Sequence, residues 1–423
     1  AAYREQLERE FRRFQGIVEE EQGRAVREIA QRWDDPRTSS RTVWVEYSED
    51  LRERRSVDFE REEIVVETLA PSGDDRTESR ARDELRRLLL EDRATAFEKD
   101  RIAQAVEIRS RKEIELLETA EVEPLPILIP YLTGEEKIPE ARLERIIDGM
   151  LDGRRVEETR TAEGERMLRW VVPLAAFEPA PMPTPGPTPG PTPGPAPGPA
   201  LRPTPESALE TGPAREPEEA PSATPERPGS TGARDLAARL SSRARSVWRP
   251  VDRYARKVGL DPALVLAVIQ TESNFNPRAT SHIPAYGLMQ IVPGSAGLDV
   301  TEVLFGKGRI LAPSYLYDAE KNIEAGATFL DLLLSRYLRG VRDPRSRLYC
   351  AIAGYNTGAG NVFKAFTGKT RSREAFARIN RMTPSQVYAH LVRRLPYEET
   401  RHYLPRVVER MERFGALLAG TGD

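Results

Sequence analysis

The first 177 residues combine helical and strand-like spacing of apolar side chains. Leu7 and Phe11 belong to a helical repeat within residues 3–33, and residues 77–119 also show a helical pattern. Four short runs alternate between apolar and polar positions, as strands do: 42–47, 56–60, 63–68 and 167–172. The first three follow one another closely, which is typical of an antiparallel meander. The pattern therefore predicts an α+β domain over residues 1–177, in which we find no catalytic constellation.

Residues 178–233 have no apolar periodicity and are rich in Pro, Gly, Thr, Ser and Glu. The unit Pro-Thr-Pro-Gly recurs almost unchanged from Pro183 to Pro199. Such a chain buries too little apolar surface to offset the entropy of ordering it, and its prolines favour an extended conformation. We predict a disordered, semi-stiff linker. It is either a tether that lets one domain search a surface while the other is held, or a tolerated insertion.

Residues 234–423 show apolar positions at helical spacing, punctuated by Gly and Pro, with no convincing strand alternation. This length suits one compact helical domain. The whole sequence therefore predicts a multidomain chain. Its parts are an α+β N-terminal domain (1–177), a Pro-rich disordered linker (178–233) and an all-α C-terminal domain (234–423).

Charge is distributed unevenly among these three segments. The formal net charge of −3 is the sum of −11 for residues 1–177, −4 for 178–233 and +12 for 234–423. A cationic domain favours an anionic partner, and charge alone leaves open whether this is nucleic acid, acidic lipid or a cell-wall polymer. The other interpretation is that the opposite charges serve only solubility or suit each other.

The composition excludes several kinds of site. Cys350 is the only cysteine, so the chain has no internal disulfide, no cysteine-based zinc site and no iron–sulfur cluster. Three histidines are too few for a His-rich metal centre, and we predict no metal and no cofactor. No run of about 18 apolar residues is present to span a membrane. Because the chain begins at Ala1 without a signal-peptide pattern, we expect any export signal or lipid anchor to lie upstream.

One predicted helix carries a carboxyl group among apolar residues. Asp261 is a suitable N-cap and Pro262 a suitable first helical residue, and the Asn-Pro pair at 276–277 predicts the helix end. Helical spacing places Glu272 on the same face as Val265. Burial raises the pKa of a carboxyl group, which keeps a proton available near neutral pH, as a general acid requires. The alternative is a buried structural hydrogen-bonding group.

Four short motifs follow one another in the C-terminal domain. They are Glu-Ser-Asn-Phe-Asn-Pro at 272–277, Gly-Leu-Met-Gln at 287–290, Tyr-Asn-Thr-Gly at 355–358 and Glu-Thr-Arg-His-Tyr at 399–403. In this order they resemble the soluble-lytic-transglycosylase family. Further segments are similar to a membrane-bound subgroup of that family: 296–300, 317–323 and 382–384. The strands of the N-terminal domain resemble, more loosely, the accessory domain of the same subgroup.

The resemblance implies a lysozyme-like catalytic domain and a lyase reaction on peptidoglycan. Members cleave the β-1,4 bond between N-acetylmuramic acid and N-acetylglucosamine without water and leave a 1,6-anhydromuramic end. Glu272 would first donate a proton to the leaving oxygen and then remove one from the muramic C6 hydroxyl. The substrate's acetamido group would replace the second carboxylate that most glycosidases use.

The resemblance also implies substrate-binding roles for seven further residues: Ser281, Tyr286, Met289, Gln290, Tyr355, Asn356 and Tyr403. Ser281 would orient Glu272 or the acetamido group, and Tyr286 and Met289 would line the groove. The other residues would hydrogen-bond the sugar or its acetamido group. The ordinary alternatives are core packing, helix capping and hydrogen bonding within loops.

The implied partner is the glycan strand of peptidoglycan rather than nucleic acid. The implied location is the periplasm or cell envelope, with outer-membrane attachment through an upstream lipid anchor as one route. Two other functions stay open, which are a hydrolytic muramidase on the same fold and a non-catalytic wall-binding scaffold. The sequence leaves undecided exo or endo cleavage, the stem-peptide preference, the role of the N-terminal domain and the oligomeric state.

Overall fold

The computed structural model describes residues 2–70, 77–174, 239–281 and 283–420. The prediction of a disordered linker over 178–233 lies outside these described residues. The described parts on either side of it belong to one compact unit. We refer to residues before 175 as the N-terminal region and to residues after 238 as the C-terminal region.

An antiparallel sheet forms the centre of the N-terminal region. Its strands are β1 (Val43–Tyr47), β2 (Glu53–Asp58), β3 (Glu63–Ala70), β5 (Arg155–Arg160) and β6 (Arg166–Pro173), while β4 (Leu117–Glu118) lies elsewhere. The spatial order is β1-β2-β3-β6-β5. The predicted meander is confirmed in β1 to β3. Strand β5 was not predicted, because all six of its residues are exposed and it therefore has no apolar alternation.

The N-terminal region also contains helices, two of which contact strands β3 and β6 of this sheet. The helices are α1 (Ala2–Ile29), α2 (Thr77–Leu90), α3 (Arg93–Lys99), α4 (Arg101–Glu113), α5 (Leu128–Thr133) and α6 (Glu140–Asp152). Asp100 ends α3 and caps α4, where its carboxylate accepts a hydrogen bond from the Ala103 main-chain N–H at 2.9 Å. Helices α1 to α4 confirm the helical patterns predicted within residues 3–33 and 77–119.

The C-terminal region is helical, as predicted. Its helices are α7 (Ser242–Ser246), α8 (Trp248–Lys257), α9 (Pro262–Glu272), α10 (Ala296–Phe305), α11 (Pro313–Leu316), α12 (Ala319–Leu332), α13 (Pro344–Thr357), α14 (Ala359–Thr367), α15 (Ser372–Ile379), α16 (Pro384–Arg394) and α17 (Glu398–Ala419). A π-helical turn over Leu333–Tyr337 extends α12. Cys350 lies fully buried in α13 as a free thiol, in agreement with its interpretation as a small apolar residue.

Helix α9 is the central helix of the C-terminal region. The Asp261 carboxylate accepts from the Ala263 N–H at 2.9 Å, which confirms the predicted N-cap. The predicted apolar face is not the only buried one, since every residue from Ala263 to Ile269 is buried. Helix α17 packs along α9. Glu272, the last residue of α9, is therefore enclosed by neighbouring elements and does not lie on the apolar stripe of an amphipathic helix.

The two regions share buried contacts. Strand β7 (Ile310–Leu311) of the C-terminal region pairs in parallel with β4, and this two-residue strand corrects the all-helical prediction. A strand of two residues is too short to show the alternation of apolar and polar positions that predicts a strand, and its partner strand lies far away in the sequence. The buried guanidinium of Arg278 donates to Asp100 at 2.6 Å and lies 3.9 Å from the centre of the Tyr317 ring. Because of this packing, the linker does not join freely searching domains, and the tether interpretation is wrong.

Candidate active site

A cavity of about 660 Å³ opens where the two regions meet. Glu272 lies in its wall together with the predicted site residues Tyr286, Gln290 and Tyr355. The opposite wall comes from the N-terminal region and includes residues 37–42, which precede β1. The cavity is therefore completed by a part of the chain in which the sequence indicated no site.

The carboxyl group of Glu272 is buried, with 5% of the residue exposed. Its Oε1 accepts a hydrogen bond from the phenol of Tyr403 at 2.8 Å. Its Oε2 lies 4.0 Å from Nη1 of Arg41, and the same nitrogen lies 2.8 Å from Oε1 of Glu399. One oxygen of the carboxyl group is thus fixed by a neutral donor, and the other faces a shared cation.

Burial raises the pKa of Glu272 from 4.5 to about 7. The hydrogen bond from Tyr403 and the charge of Arg41 each oppose this rise, while the charge of Glu399 adds to it. A carboxyl group in this range holds its proton at slightly acidic pH and releases it at slightly alkaline pH. It can therefore serve as a general acid and then as a general base.

The chain reverses directly after Glu272. Asn274 and Phe275 adopt positive φ angles of 49° and 66°. The hydroxyl of Ser273 donates to the Leu288 carbonyl at 2.8 Å, which ties the end of α9 to the Gly-Leu-Met-Gln motif. This hydroxyl is buried, so the bond also satisfies a polar group that water does not reach.

The Gly-Leu-Met-Gln segment is held by one buried amide. Asn322 of α12 accepts from the Met289 N–H at 2.8 Å and donates to the carbonyls of Tyr286 and Leu316, each at 2.8 Å. Gly287 has a φ of +74°, and a Cβ there would overlap the Leu316 carbonyl oxygen. The segment thus depends on an amide at 322 and a glycine at 287.

Gln290 presents an unused acceptor to the cavity. Its backbone has a φ of +49°, and its Nε2 donates to the Gly287 carbonyl at 3.0 Å. Its Oε1 is buried and has no hydrogen-bond partner in the described structure. Because a buried acceptor without a partner is unfavourable, this oxygen is suited to a donor from a ligand.

The Tyr-Asn-Thr-Gly motif lies beside the same cavity. The phenol of Tyr355 donates to the Met289 carbonyl at 2.8 Å, and Oδ1 of Asn356 accepts from the Thr400 hydroxyl at 2.7 Å. Both residues line the cavity. The four motifs are therefore brought together in space, with the last two joined by the bond between Asn356 and Thr400.

Some of the predicted site residues make other contacts than expected. Met289 is fully buried against Gly326 and does not line the cavity, because its side chain points from the turn into the core. Ser281 lies in the cavity wall, but its hydroxyl donates to the Ile283 carbonyl rather than to Glu272. The hydrogen bond to Glu272 comes from Tyr403 instead. Tyr286 lines the cavity, although its ring packs edge-on against Tyr317 with centroids 5.6 Å apart.

The N-terminal wall of the cavity is attached to the turn that follows Glu272. The Thr280 N–H donates to the Ser40 carbonyl, and Nδ2 of Asn276 donates to the Arg41 carbonyl, both at 3.2 Å. Nδ2 of Asn274 donates to the Phe59 carbonyl. Arg41 had no sequence signal, because it is one of many arginines in an acidic domain and reaches the site only through tertiary contacts.

Within the described ranges, no group of His, Cys, Asp and Glu side chains is arranged to hold a metal ion. No helix among those residues is both long and apolar enough to cross a membrane.

The helical C-terminal region is similar to a known family of enzymes. Residues 249–376 match the family model described as the transglycosylase SLT domain. Curated relatives named membrane-bound lytic murein transglycosylase C come from Actinobacillus succinogenes and Salmonella arizonae. The first is 43% identical over 174 residues, which are 41% of this chain and 47% of the relative. The second is 44% identical over 168 residues, which are 40% of this chain and 46% of the relative.

These comparisons confirm the resemblance that the four motifs indicated. The chain spans about half the length of the curated relatives it matches. Among solved structures, the 70 kDa soluble lytic transglycosylase from Escherichia coli is 21% identical. The match covers 45% of this chain and 28% of that one, with a TM-score of 0.31.

Proposed function

We propose that this protein is a peptidoglycan lytic transglycosylase whose C-terminal region is a lysozyme-like catalytic domain. It cleaves the β-1,4 bond between N-acetylmuramic acid and N-acetylglucosamine and leaves a 1,6-anhydromuramic end. One observation carries the proposal, namely the buried carboxyl group of Glu272, with a pKa of about 7, in the wall of a cavity of about 660 Å³. The names of the relatives support the substrate class.

In the first step, protonated Glu272 donates its proton to the glycosidic oxygen as the bond to C1 of the muramic residue breaks. The substrate's acetamido oxygen stabilises the positive charge that develops at C1. Ionised Glu272 then removes the proton from the C6 hydroxyl, whose oxygen forms the new bond to C1. One carboxyl group serves both steps, because its pKa lies near the working pH.

The other residues of the four motifs have positioning or binding roles in this proposal. Tyr403 orients the carboxyl group of Glu272 through its 2.8 Å hydrogen bond. The free Oε1 of Gln290 accepts from a sugar hydroxyl or from an acetamido N–H. Tyr355 and Asn356, which line the cavity, would contact the acetamido group or the leaving oxygen, while Tyr286 and Ser281 contribute to the wall. Met289 supports the turn through its main chain rather than by touching the sugar.

A hydrolytic muramidase is the second candidate, and Glu399 is the observation that favours it. Both carboxyl groups lie within 4.0 Å of the same Arg41 nitrogen, so Glu399 is a neighbour of Glu272. A hydrolase would use a second carboxylate to activate water or to attack C1. We favour the transglycosylase because the relatives are named lytic murein transglycosylases.

We place this activity in the cell envelope, where its substrate lies. The relatives are membrane-bound by name, and a lipid anchor upstream of the chain is one route by which this protein would be attached to the outer membrane. The net charge of +12 over residues 234–423 suits a wall rich in peptide carboxylates rather than requiring a nucleic acid partner.

The test is product analysis after digestion of purified murein sacculi by the parental protein and by Glu272→Gln. We expect mass spectrometry to find muropeptides lighter by one water than the reducing products, and none from Glu272→Gln. Reducing ends would establish the hydrolase instead. Binding to sacculi without any released product would establish the scaffold. Parental activity in Glu272→Gln would refute the assigned role of the carboxyl group.

A further inference from the structure

Arg41 connects the N-terminal region to the catalytic carboxyl group. We propose that Arg41 is a positioning residue for Glu272. Its guanidinium is held at a fixed distance from Oε2 of Glu272, and Glu399 partly neutralises the charge of that guanidinium. This inference rests on the proposed function, because it assigns Arg41 a part in the same reaction. It also gives the N-terminal region a direct role in catalysis.

The position of Arg41 is determined at both ends of the residue. Its carbonyl accepts from Nδ2 of Asn276 at 3.2 Å, and the preceding Ser40 carbonyl accepts from the Thr280 N–H at 3.2 Å. Its guanidinium lies 2.8 Å from Glu399 on α17. The main-chain bonds come from the turn after Glu272, so any shift of that turn moves Arg41 with it. The distance of 4.0 Å between Arg41 and Glu272 is thus built into the contact between the regions.

Several charged or titratable groups face the carboxyl group of Glu272: Tyr403, Glu399 and Arg406 of α17, Tyr355 of α13, and Arg41. The two phenols are buried and neutral, because burial raises the pKa of each well above 10. Arg406 shares α17 with Glu399, whereas Arg41 comes from outside the C-terminal region. Among these groups, Arg41 and Glu399 are oppositely charged and lie 2.8 Å apart. Arg41 lowers the pKa of Glu272, whereas Glu399 raises it.

The pair explains how one carboxyl group can serve as acid and base. Arg41 favours the ionised form of Glu272 once the proton has been donated, which supports the second step. Glu399 partly neutralises Arg41, so that the resting carboxyl group keeps its proton. Without Arg41, the ionised intermediate would be less stable. Without Glu399, the proton would be lost too readily before the first step.

The test compares two variants that break the same ion pair. Arg41→Gln raises the pKa of Glu272, so we expect the alkaline limb of the pH–activity profile to move up by about one pH unit. Glu399→Gln leaves the charge of Arg41 uncompensated, which lowers the pKa of Glu272. The alkaline limb is therefore expected to move to lower pH. Arg41→Lys keeps the charge and is expected to restore the parental profile. The double variant Arg41→Gln, Glu399→Gln is expected to lie between the two single variants.

The matched control is Arg243→Gln. Arg243 forms an ion pair with Glu62 between the two regions, but it has no contact with Glu272 among those the structure shows. Its pH profile is expected to equal that of the parent. Shifts of the Arg41 and Glu399 variants in the same direction, or no shift in either, would overturn the inference and leave only a structural ion pair. The proposed function fails separately, when the parent releases no anhydro product.

Discussion

The burial of Glu272 has a consequence for stability that can be measured without substrate. The pKa of Glu272 is raised to about 7 in the folded protein, against 4.5 for an unperturbed glutamate. The folded state therefore holds a proton that the unfolded state releases between these two values. Stability must then fall as pH rises from about 4.5 through 7, because ionisation is opposed only in the folded state.

The size of this effect follows from the shift. One pKa unit corresponds to about 1.4 kcal/mol, so the shift of Glu272 amounts to about 3 kcal/mol of stability lost by alkaline pH. Glu272→Gln is neutral at every pH and can still accept from Tyr403. We expect its stability to equal that of the parent within about 1 kcal/mol at pH 5, and to exceed it by about 3 kcal/mol at pH 8.5.

The assay is urea unfolding at both pH values, followed by far-UV circular dichroism and analysed as the shift of the midpoint at constant slope. Glu46 provides a matched comparison. It lies in β1, burial raises its pKa to about 7, and both of its oxygens are buried without a hydrogen-bond partner in the described structure. Glu46→Gln should likewise be more stable than the parent at alkaline pH. A Glu272→Gln protein as sensitive to pH as the parent would refute the claim that this carboxyl group is buried in its neutral form.

Three further predictions follow from the contacts of the site. Tyr403→Phe removes a hydrogen bond to the ionised carboxylate worth about 1.5–3 kcal/mol, so the alkaline limb of activity should rise by about 1–2 pH units. Asn322→Leu removes three hydrogen bonds at 2.8 Å and leaves main-chain groups unpaired, which should cost about 3 kcal/mol or more in urea unfolding. Gly287→Ala should lower the thermal midpoint by more than Gly164→Ala, which shares a positive φ but has open space for the Cβ.

Each of these predictions has an opposite outcome that is equally clear. An unchanged pH profile in Tyr403→Phe would mean that its phenol does not act on Glu272. Parental stability of Asn322→Leu would show that the Gly-Leu-Met-Gln segment is held by other contacts. Equal midpoints for Gly287→Ala and Gly164→Ala would show that the overlap with a main-chain carbonyl is relieved without cost.

The sequence predicted those parts of the site that depend on local patterns. Asp261 and Pro262 identify the start of α9, and the Asn-Pro pair at 276–277 marks the turn beyond its end. The apolar run between them predicts burial of the helix, and its last residue is the carboxyl group of the site. These features need no knowledge of the rest of the chain, because caps and periodicity act over a few residues.

The parts that were not predicted depend on contacts distant in sequence. Arg41 reaches Glu272 only because the two regions pack together, and nothing near position 41 indicates this. Ser281 carries a hydroxyl at the expected place in the chain, but a closer carbonyl at Ile283 takes its hydrogen bond. Met289 belongs to the right motif, yet the positive φ at Gly287 begins a turn that directs its side chain into the core. The order of the motifs predicted which segments of the C-terminal region carry the site, and tertiary packing determined the orientation of their side chains and added Arg41.

The central claim is that the carboxyl group of Glu272 holds its proton near neutral pH, and its own titration tests this most directly. Protein with ¹³C-labelled glutamate side-chain carboxyls is titrated by NMR, and Glu272→Gln identifies the resonance by its absence. We predict a midpoint near 7, as burial requires. A midpoint near 4.5 would mean an ordinary ionised carboxylate at working pH, and that result would contradict the account.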